Sequence, residues 1–198
     1  KLTCPGVPDI YQGCEVWNFS LVDPDNRRPV DLHAMAQSLD RVQALYAHGY
    51  PAAAAWQDLL GSGPDMPSDV KQLVTWRLLQ LRSRFAALFR NSIYLPLEIT
   101  GDSEAHALAF ARILDDQVVV LVSSRLLASK PNAGWGDTRV ALAGAHPGLV
   151  RVQAWTNWMT GRTLAAEDAL TLDEVLGNAM PGGDGLPFAV LVPADALI

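Results

Sequence analysis

Cysteine is scarce in this sequence of 198 residues, which contains only Cys4 and Cys14. The two lie ten residues apart with no histidine or second cysteine pair nearby, which excludes a cysteine-based zinc site and a disulfide framework. We therefore expect a reducing, cytoplasmic compartment. The four histidines fall in different predicted elements, so no metal site or other cofactor is expected. They are His33, His48, His106 and His146.

Long apolar runs and an excess of positive charge are missing as well. No stretch of 18 apolar residues occurs, and so no membrane-spanning helix or membrane partner is expected. Fifteen lysines and arginines stand against 21 aspartates and glutamates, a net charge of −6. Because neutralising phosphates dominates nucleic-acid binding, this balance argues against a nucleic-acid partner.

The sequence does contain enough apolar residues for a sizeable core, since 49% of its residues are hydrophobic. It opens at Lys1 without a starting methionine or a signal-peptide pattern, directly in an apolar segment. We expect such a chain to be a portion of a longer protein.

The first 92 residues carry turn signals and then helical patterns. Residues 1–30 are rich in proline, glycine, asparagine and aspartate, which predicts the end of a strand and a long ordered loop. Asp31 is placed to cap a helix whose apolar positions reach Tyr46, and a short helix is predicted at 53–60. Ser68 is placed to cap a longer helix, which Asn91 is expected to end.

After residue 92 the pattern changes to short β-rich runs bounded by turns. Asp115 and Asp116 predict a two-residue hairpin turn between two of these runs. We therefore expect a helical part at 1–92 and an antiparallel β domain at 93–198. The strand candidates are residues 94–99, 106–114, 117–124, 138–142, 149–155 and 188–192.

One loop is unusually dense in polar groups, with two carboxylates, an amide and two guanidinium groups within six residues. These groups suit a polyhydroxylated ligand such as a sugar, because guanidinium forks and carboxylates bind vicinal hydroxyls. Two aromatic residues that precede them offer flat apolar faces. Alternatively, the acidic residues only pair with the arginines and lock an exposed turn. The residues are Tyr11, Trp17, Asp23, Asp25, Asn26, Arg27 and Arg28.

Trp155 and Trp158 are a second candidate for sugar binding, by stacking on the β domain, although such a pair more commonly fills a core or a turn. A stand-alone carbohydrate-binding module, using this pair or the polar loop, is therefore one alternative function.

The segments PGVPDIYQG (5–13) and WNFSLVDPDNRRPVD (17–31) resemble the malto-oligosyltrehalose synthases of the α-amylase family. Shorter resemblances follow in the same order at LQLR (79–82), AFAR (109–112) and WGDT (135–138), so that nearly the whole chain is covered. In that family the first stretch is the eighth strand of a (β/α)8 barrel and the loop over its catalytic face.

The resemblance implies an α+β fold, in which the last strand and outer helices of the barrel precede an antiparallel β-sandwich. It also implies an isomerase of trehalose biosynthesis that converts the reducing-end α-1,4 bond of a maltooligosaccharide into an α,α-1,1 bond by retaining intramolecular transglucosylation. The family's catalytic carboxylates lie on earlier barrel strands. We therefore expect no catalytic residue in this chain, no activity from it alone, and the remainder of the barrel as its partner.

The resemblance further implies roles for the polar loop. Asp23 and Arg27 are expected to contact a donor-side glucose, while Asp25, Asn26 and Arg28 shape or brace the loop. Tyr11 and Trp17 would be secondary wall residues. A related glucan hydrolase or glucanotransferase that shares this loop is the remaining alternative.

Overall fold

The computed structural model describes residues 1–60, 68–130, 134–177 and 186–197. Residues 1–31 form an irregular segment with one 3-10 turn, and the helices that follow build one side of the molecule. Among the described helices, none combines the length and the apolar character that a bilayer crossing needs. The helices are α1 (Leu32–Ala44), α2 (Ala53–Leu60), α3 (Ser68–Arg84), α4 (Ala86–Asn91), α5 (Pro147–Val150) and α6 (Leu172–Leu176), and the first 3-10 turn is Asp25–Arg27.

The strands form two sheets in which every pairing is antiparallel. One sheet has six strands in the order β1-β3-β4-β9-β6-β7, and the other has three in the order β2-β5-β8. The strands are β1 (Ile93–Leu97), β2 (Ile99–Thr100), β3 (Ala107–Leu114), β4 (Gln117–Ser124), β5 (Arg139–Ala141), β6 (Ala154–Asn157), β7 (Thr163–Ala165), β8 (Ala169–Thr171) and β9 (Phe188–Pro193).

Both faces of the six-stranded sheet are buried, because side chains alternate across a strand and its central strands are apolar at successive positions. On β4, Val118 and Val120 face a core shared with the three-stranded sheet and α6. Val119, between them, faces a second core formed with α1 to α4. The sheet is therefore the middle layer. The second core spans the predicted domain boundary at 92/93, because it contains residues from both sides of it.

Several local predictions are confirmed. The side chain of Asp31 accepts a hydrogen bond from the Ala34 N–H at 2.9 Å, as an N-cap does. Helix α2 occupies 53–60 as expected, and Leu114 pairs with Gln117 across the Asp115-Asp116 turn. Asp115 adopts φ 51°, the left-handed region that such a turn uses.

Other local predictions are wrong. The helix expected from Ser68 to Asn91 begins and ends at these residues but is not continuous, because Phe85, with φ −108° and ψ 43°, leaves helical geometry and separates α3 from α4. Residues 149–155 do not form one strand, because Pro147 starts the short helix α5 and β6 begins only at Ala154. Strands β7 and β8 and helix α6 were not predicted.

The strand end expected within residues 1–30 is also not present. None of the nine strands in the described ranges lies in residues 1–31 or pairs with that segment. A strand is stabilised by hydrogen bonds to a neighbouring strand, and no such neighbour is available there in the described chain. The mixed architecture of helices and antiparallel sheets is confirmed. That residues 1–30 belong to a barrel within a longer protein stays a prediction.

Arg112 joins the irregular segment to the sheet and to α4. It lies on β3 with only 2% of its surface exposed. Its guanidinium donates to Ser92 Oγ at 2.8 Å and to the carbonyl oxygens of Thr3 and Phe89 at 3.2 Å each. Burial lowers the pKa of this guanidinium, since desolvation disfavours its charged form. The cation is thus held by three neutral acceptors, one from the irregular segment and two from the end of α4.

Replacing Arg112 by leucine should lower the free energy of unfolding by about 3 kcal/mol, because the acceptors in residues 3, 89 and 92 would stay buried without their donor. Urea unfolding followed by circular dichroism measures this change. Arg151→Leu is the matched control, since the Arg151 side chain is 73% exposed and bonds to the exposed Asp116 at 3.1 Å. It should change stability by less than about 0.5 kcal/mol. Equal losses in the two variants would contradict the role of Arg112.

Candidate functional site

The irregular segment forms one wall of an open cleft of about 710 Å³, and α1 and the start of α3 form the other. Clefts of this size are typical of small-molecule sites. The lining combines apolar, amide, hydroxyl and charged side chains. It consists of Gly13, Val16, Trp17, Asn18, Phe19, Ser20, Asp25, Asn26, Arg28, Pro29, Val30, Asp31, Ala34, Met35, Ser38, Arg41, Ser68 and Asp69. We refer to it as the loop cleft.

The acidic residues of the polar loop pair with its arginines, as the second interpretation of the sequence anticipates. Asp23 forms an ion pair with Arg27, and Asp25 forms one with Arg28. Asp25 also accepts a hydrogen bond from the Leu21 N–H at 2.8 Å, which closes the turn. The two arginine side chains remain more than 70% exposed, so both pairs stabilise the turn only weakly.

The structure gathers four of the seven predicted site residues in the loop cleft. These are Trp17, Asp25, Asn26 and Arg28. Tyr11, Asp23 and Arg27 are exposed but do not line it. The predicted set is therefore divided between the lining of the cleft and the adjoining surface.

Trp17 presents a flat, partly exposed face at the cleft. Its side chain is 43% exposed, and the Lys71 ammonium of α3 lies 5.0 Å from its ring centroid. The same ammonium donates to the Val16 carbonyl at 2.8 Å. A cation over an aromatic ring is attracted to the ring, and so Lys71 fixes the position of Trp17 from the side of α3.

Sequence reasoning missed the most ordered ion pair of the cleft. Arg41 of α1 donates two hydrogen bonds to the carboxylate of Asp69 on α3, at 2.9 and 3.0 Å, and the Ser38 hydroxyl donates a third at 2.5 Å. These donors lower the pKa of Asp69, the bonds from Arg41 most strongly. The partners lie 28 and 31 residues from Asp69, so no local spacing signals the contact.

The irregular segment exposes apolar side chains next to the cleft. Phe19 is 88% exposed, Leu21 77% and Val22 82%. Exposed apolar residues that lie together often mark a contact surface, whereas apolar residues exposed singly need no explanation. We call residues 19–22 the apolar ribbon.

Trp155 and Trp158 do not form a sugar-stacking pair. Trp155 is fully buried in the core between the two sheets, and Trp158 is only 6% exposed. The Trp158 indole N–H donates to the carbonyl of Arg77 at 2.8 Å. The alternative interpretation, that the pair fills the core, is therefore the correct one.

Comparison with known proteins reveals the same relatives by sequence and by structure. Proteins from two strains of Mycobacterium tuberculosis, provisionally named maltooligosyl trehalose synthase, are 33% identical over 162 residues, which is 82% of this chain and 16% of theirs. Solved structures of the maltooligosyltrehalose synthase from Arthrobacter ramosus, one of them a mutant, match 96% of this chain at 31% and 32% identity and a TM-score of 0.66. The chain resembles the C-terminal part of maltooligosyltrehalose synthases.

The chain spans only about a fifth of the length of these synthases. A further solved maltooligosyl trehalose synthase matches at 20% identity with a TM-score of 0.55, which supports the fold alone. No protein-family model matches the sequence. Within the described ranges, no group of three or more histidine, cysteine, aspartate or glutamate residues is arranged to hold a metal ion.

Replacing Asp69 by asparagine should destabilise the protein at pH 7 by about 1 kcal/mol, the upper end for an ion pair that is not fully buried. Because the folded protein lowers the pKa of Asp69, this contribution is fully present above the ordinary carboxyl pKa of about 4. It is lost as pH falls through the lowered value. Urea unfolding of both proteins from pH 7 to pH 3 measures the difference.

Asp116→Asn provides the matched control, because Asp116 is 88% exposed and carries a single bond from Arg151. A destabilisation by Asp69→Asn that stays constant down to pH 3 would contradict the ionic role of Asp69 and point to packing alone.

Proposed function

We propose that this chain supplies the C-terminal part of a maltooligosyltrehalose synthase. In that role it belongs to an enzyme that converts the reducing-end α-1,4 linkage of a maltooligosaccharide into an α,α-1,1 linkage. The observation that carries the proposal is the identity of 31–33% to the synthases over 82–96% of the chain. The catalytic carboxylates lie, on this proposal, in the part of the enzyme that precedes the matched region. The chain alone then has no activity.

The polar loop would contribute to the glucose-binding wall of the parent enzyme. Asp23 and Arg27 expose a carboxylate and a guanidinium that already face one another. Such a pair offers acceptors and donors together, which matches the vicinal hydroxyls of a glucose ring. Asp25, held by the Leu21 N–H and by Arg28, braces the turn on which Arg27 lies.

An ordered loop of this kind serves the proposed reaction in two ways. The cleaved glucose must stay bound while its anomeric hydroxyl is turned toward the glycosyl-enzyme, and water must be kept from that intermediate. Groups fixed before the substrate arrives bind it without a further loss of conformational entropy. Side chains that surround the glucose also exclude water.

The apolar ribbon supports a contact with the remainder of the enzyme. Phe19, Leu21 and Val22 are exposed in this chain, which spans only about a fifth of the length of the matched synthases. We infer that the remainder of the barrel covers the ribbon, since burial removes apolar surface from water at about 25 cal/mol per Å². The ribbon adjoins the polar loop in sequence, so that the same contact would position the loop.

A chimera tests the function. This chain replaces the matching C-terminal region of the Arthrobacter ramosus synthase, and the products from maltohexaose are separated by chromatography. The chimera should yield a non-reducing, trehalose-ended oligosaccharide, whereas the isolated chain should yield none. A chimera that releases only shortened reducing sugars would instead support a related hydrolase.

In the same chimera, Arg27→Ala should raise the ratio of free glucose to trehalose-ended product about tenfold, as expected when a hydrogen bond to a charged group, worth about 1.5 kcal/mol, is lost. Arg151→Ala, which removes an exposed arginine of the β domain, should leave the ratio unchanged. An unchanged ratio in Arg27→Ala would remove Arg27 from glucose retention.

A further inference from the structure

A second cleft of about 580 Å³ shares no residue with the loop cleft. It opens between α1, the turn after it, α3 and the turn after β6. Its lining contains aromatic rings, amides and two arginines but no acidic residue. The residues are Gln43, Tyr46, Gly49, Tyr50, Trp76, Arg77, Gln80, Arg84, Trp158 and Leu197. We refer to it as the aromatic cleft.

Aromatic rings from α3 and from the turn after α1 meet edge to face in the aromatic cleft. The Tyr46 ring lies 5.6 Å from Trp76 and 6.2 Å from Tyr50, with interplanar angles of 68° and 69°. Tyr50 is 39% exposed, and Trp76 is half-buried. Edge-to-face contact is a favourable arrangement of aromatic rings, and Tyr50 and Trp76 keep part of their apolar surface exposed at the cleft.

Gly161 keeps Tyr50 in this position. A Cβ on Gly161 would lie 2.4 Å from the Tyr50 ring, closer than such contacts allow, and the backbone there adopts φ +75°. The Tyr46 hydroxyl donates to the Met159 carbonyl at 2.5 Å, and burial raises the pKa of this phenol. The turn after β6 thus holds the side chains of Tyr46 and Tyr50 in position before any ligand binds.

Arg77 forms the floor of the aromatic cleft and is only 8% exposed. Its guanidinium carbon lies 4.4 Å from the ring centroids of both Tyr46 and Trp158. It donates to Gln80 Oε1 at 2.9 Å and to the Trp158 carbonyl at 2.6 Å, and no carboxylate pairs with it in the described chain. Two of its five N–H groups are used in these bonds, and its Nε is buried without a partner.

Aromatic rings, rather than a carboxylate, stabilise the positive charge of Arg77. Four rings, including Tyr50 at 5.6 Å and Trp76 at 5.9 Å, surround the guanidinium within cation–π distance. The remaining N–H donors and the exposed amides of Gln43 and Gln80 are suited to hydroxyl groups. A ligand with apolar C–H faces and many hydroxyls, rather than an anion, satisfies both the rings and the donors.

We propose that the aromatic cleft binds glucosyl units of an α-1,4-glucan at a site separate from the loop cleft. The preference for a neutral, polyhydroxylated ligand follows from the geometry of Arg77 and the rings, whereas the choice of an α-glucan rests on the proposed function. The site lies wholly within this chain. It would hold part of a long substrate away from the glucose-binding wall.

The six tryptophan indole N–H groups allow a direct test by NMR on the ¹⁵N-labelled 198-residue chain, without any catalytic activity. Maltohexaose should shift the Trp76 signal, which Trp76→Phe assigns by its disappearance. Trp76→Ala should weaken binding about tenfold, the effect of losing an aromatic stacking contact, whereas Trp76→Phe should keep affinity within about twofold. Gln43→Ala should also weaken binding. Because Gln43 is exposed, this variant tests the cleft even if Trp76→Ala fails to fold.

Arg151→Ala is the matched control, because Arg151 is exposed and lines neither cleft, and it should leave this affinity unchanged. Trp17→Ala distinguishes the two clefts, because Trp17 lines the loop cleft. Binding abolished by Trp17→Ala but not by Trp76→Ala would overturn the proposal while leaving the proposed function intact. No shift with maltohexaose, or a Trp76 shift with inorganic phosphate alone, would also overturn it. Conversely, a chimera without synthase activity would refute the proposed function and leave glucan binding by the aromatic cleft to be judged by this titration.

Discussion

The fold depends on a sheet whose central strands are apolar on both faces. Val118 to Val122 of β4 and Ala189 to Val192 of β9 alternate between two cores, so that neither face of the sheet can be left in water. The three-stranded sheet covers one face, and α1 to α4 cover the other. This requirement explains why helices from the first half of the chain pack on strands from the second half.

Two buried arginines and the half-buried Arg82 tie other segments to the sheet and to α3. Arg112 binds the carbonyls of Thr3 and Phe89, Arg82 binds those of Leu2 and Gly6, and Arg77 binds that of Trp158. Each guanidinium meets neutral carbonyl oxygens, which lets one side chain join segments far apart in sequence without the cost of burying a second charge. The irregular segment is held at residues 2–6 in this way, and its polar loop is left exposed.

Signals that act over a few residues could be read from the sequence. Asp31 caps α1, and the Asp115-Asp116 turn sets the pairing of β3 with β4, because both depend on adjacent residues. The capping box of Thr171 and Glu174 at the start of α6 is equally local, but it was not predicted from the sequence. By contrast, the ion pair of Arg41 with Asp69 and the rings around Arg77 depend on packing between distant segments, and no spacing in the sequence predicts them.

The two clefts differ in what holds their functional groups. In the polar loop, which adjoins and partly lines the loop cleft, Asp23 pairs with Arg27 and Asp25 with Arg28, and both arginines are largely exposed, so that these pairs add little stability. In the aromatic cleft, Arg77 and Trp158 are buried and Tyr46 packs against the core, whereas Tyr50 and Trp76 stay partly exposed. Loss of a loop residue should therefore alter ligand contacts with little effect on folding, whereas loss of Arg77 would affect both. Because folding depends little on the charges of the polar loop, these charges can serve a ligand at little cost in stability.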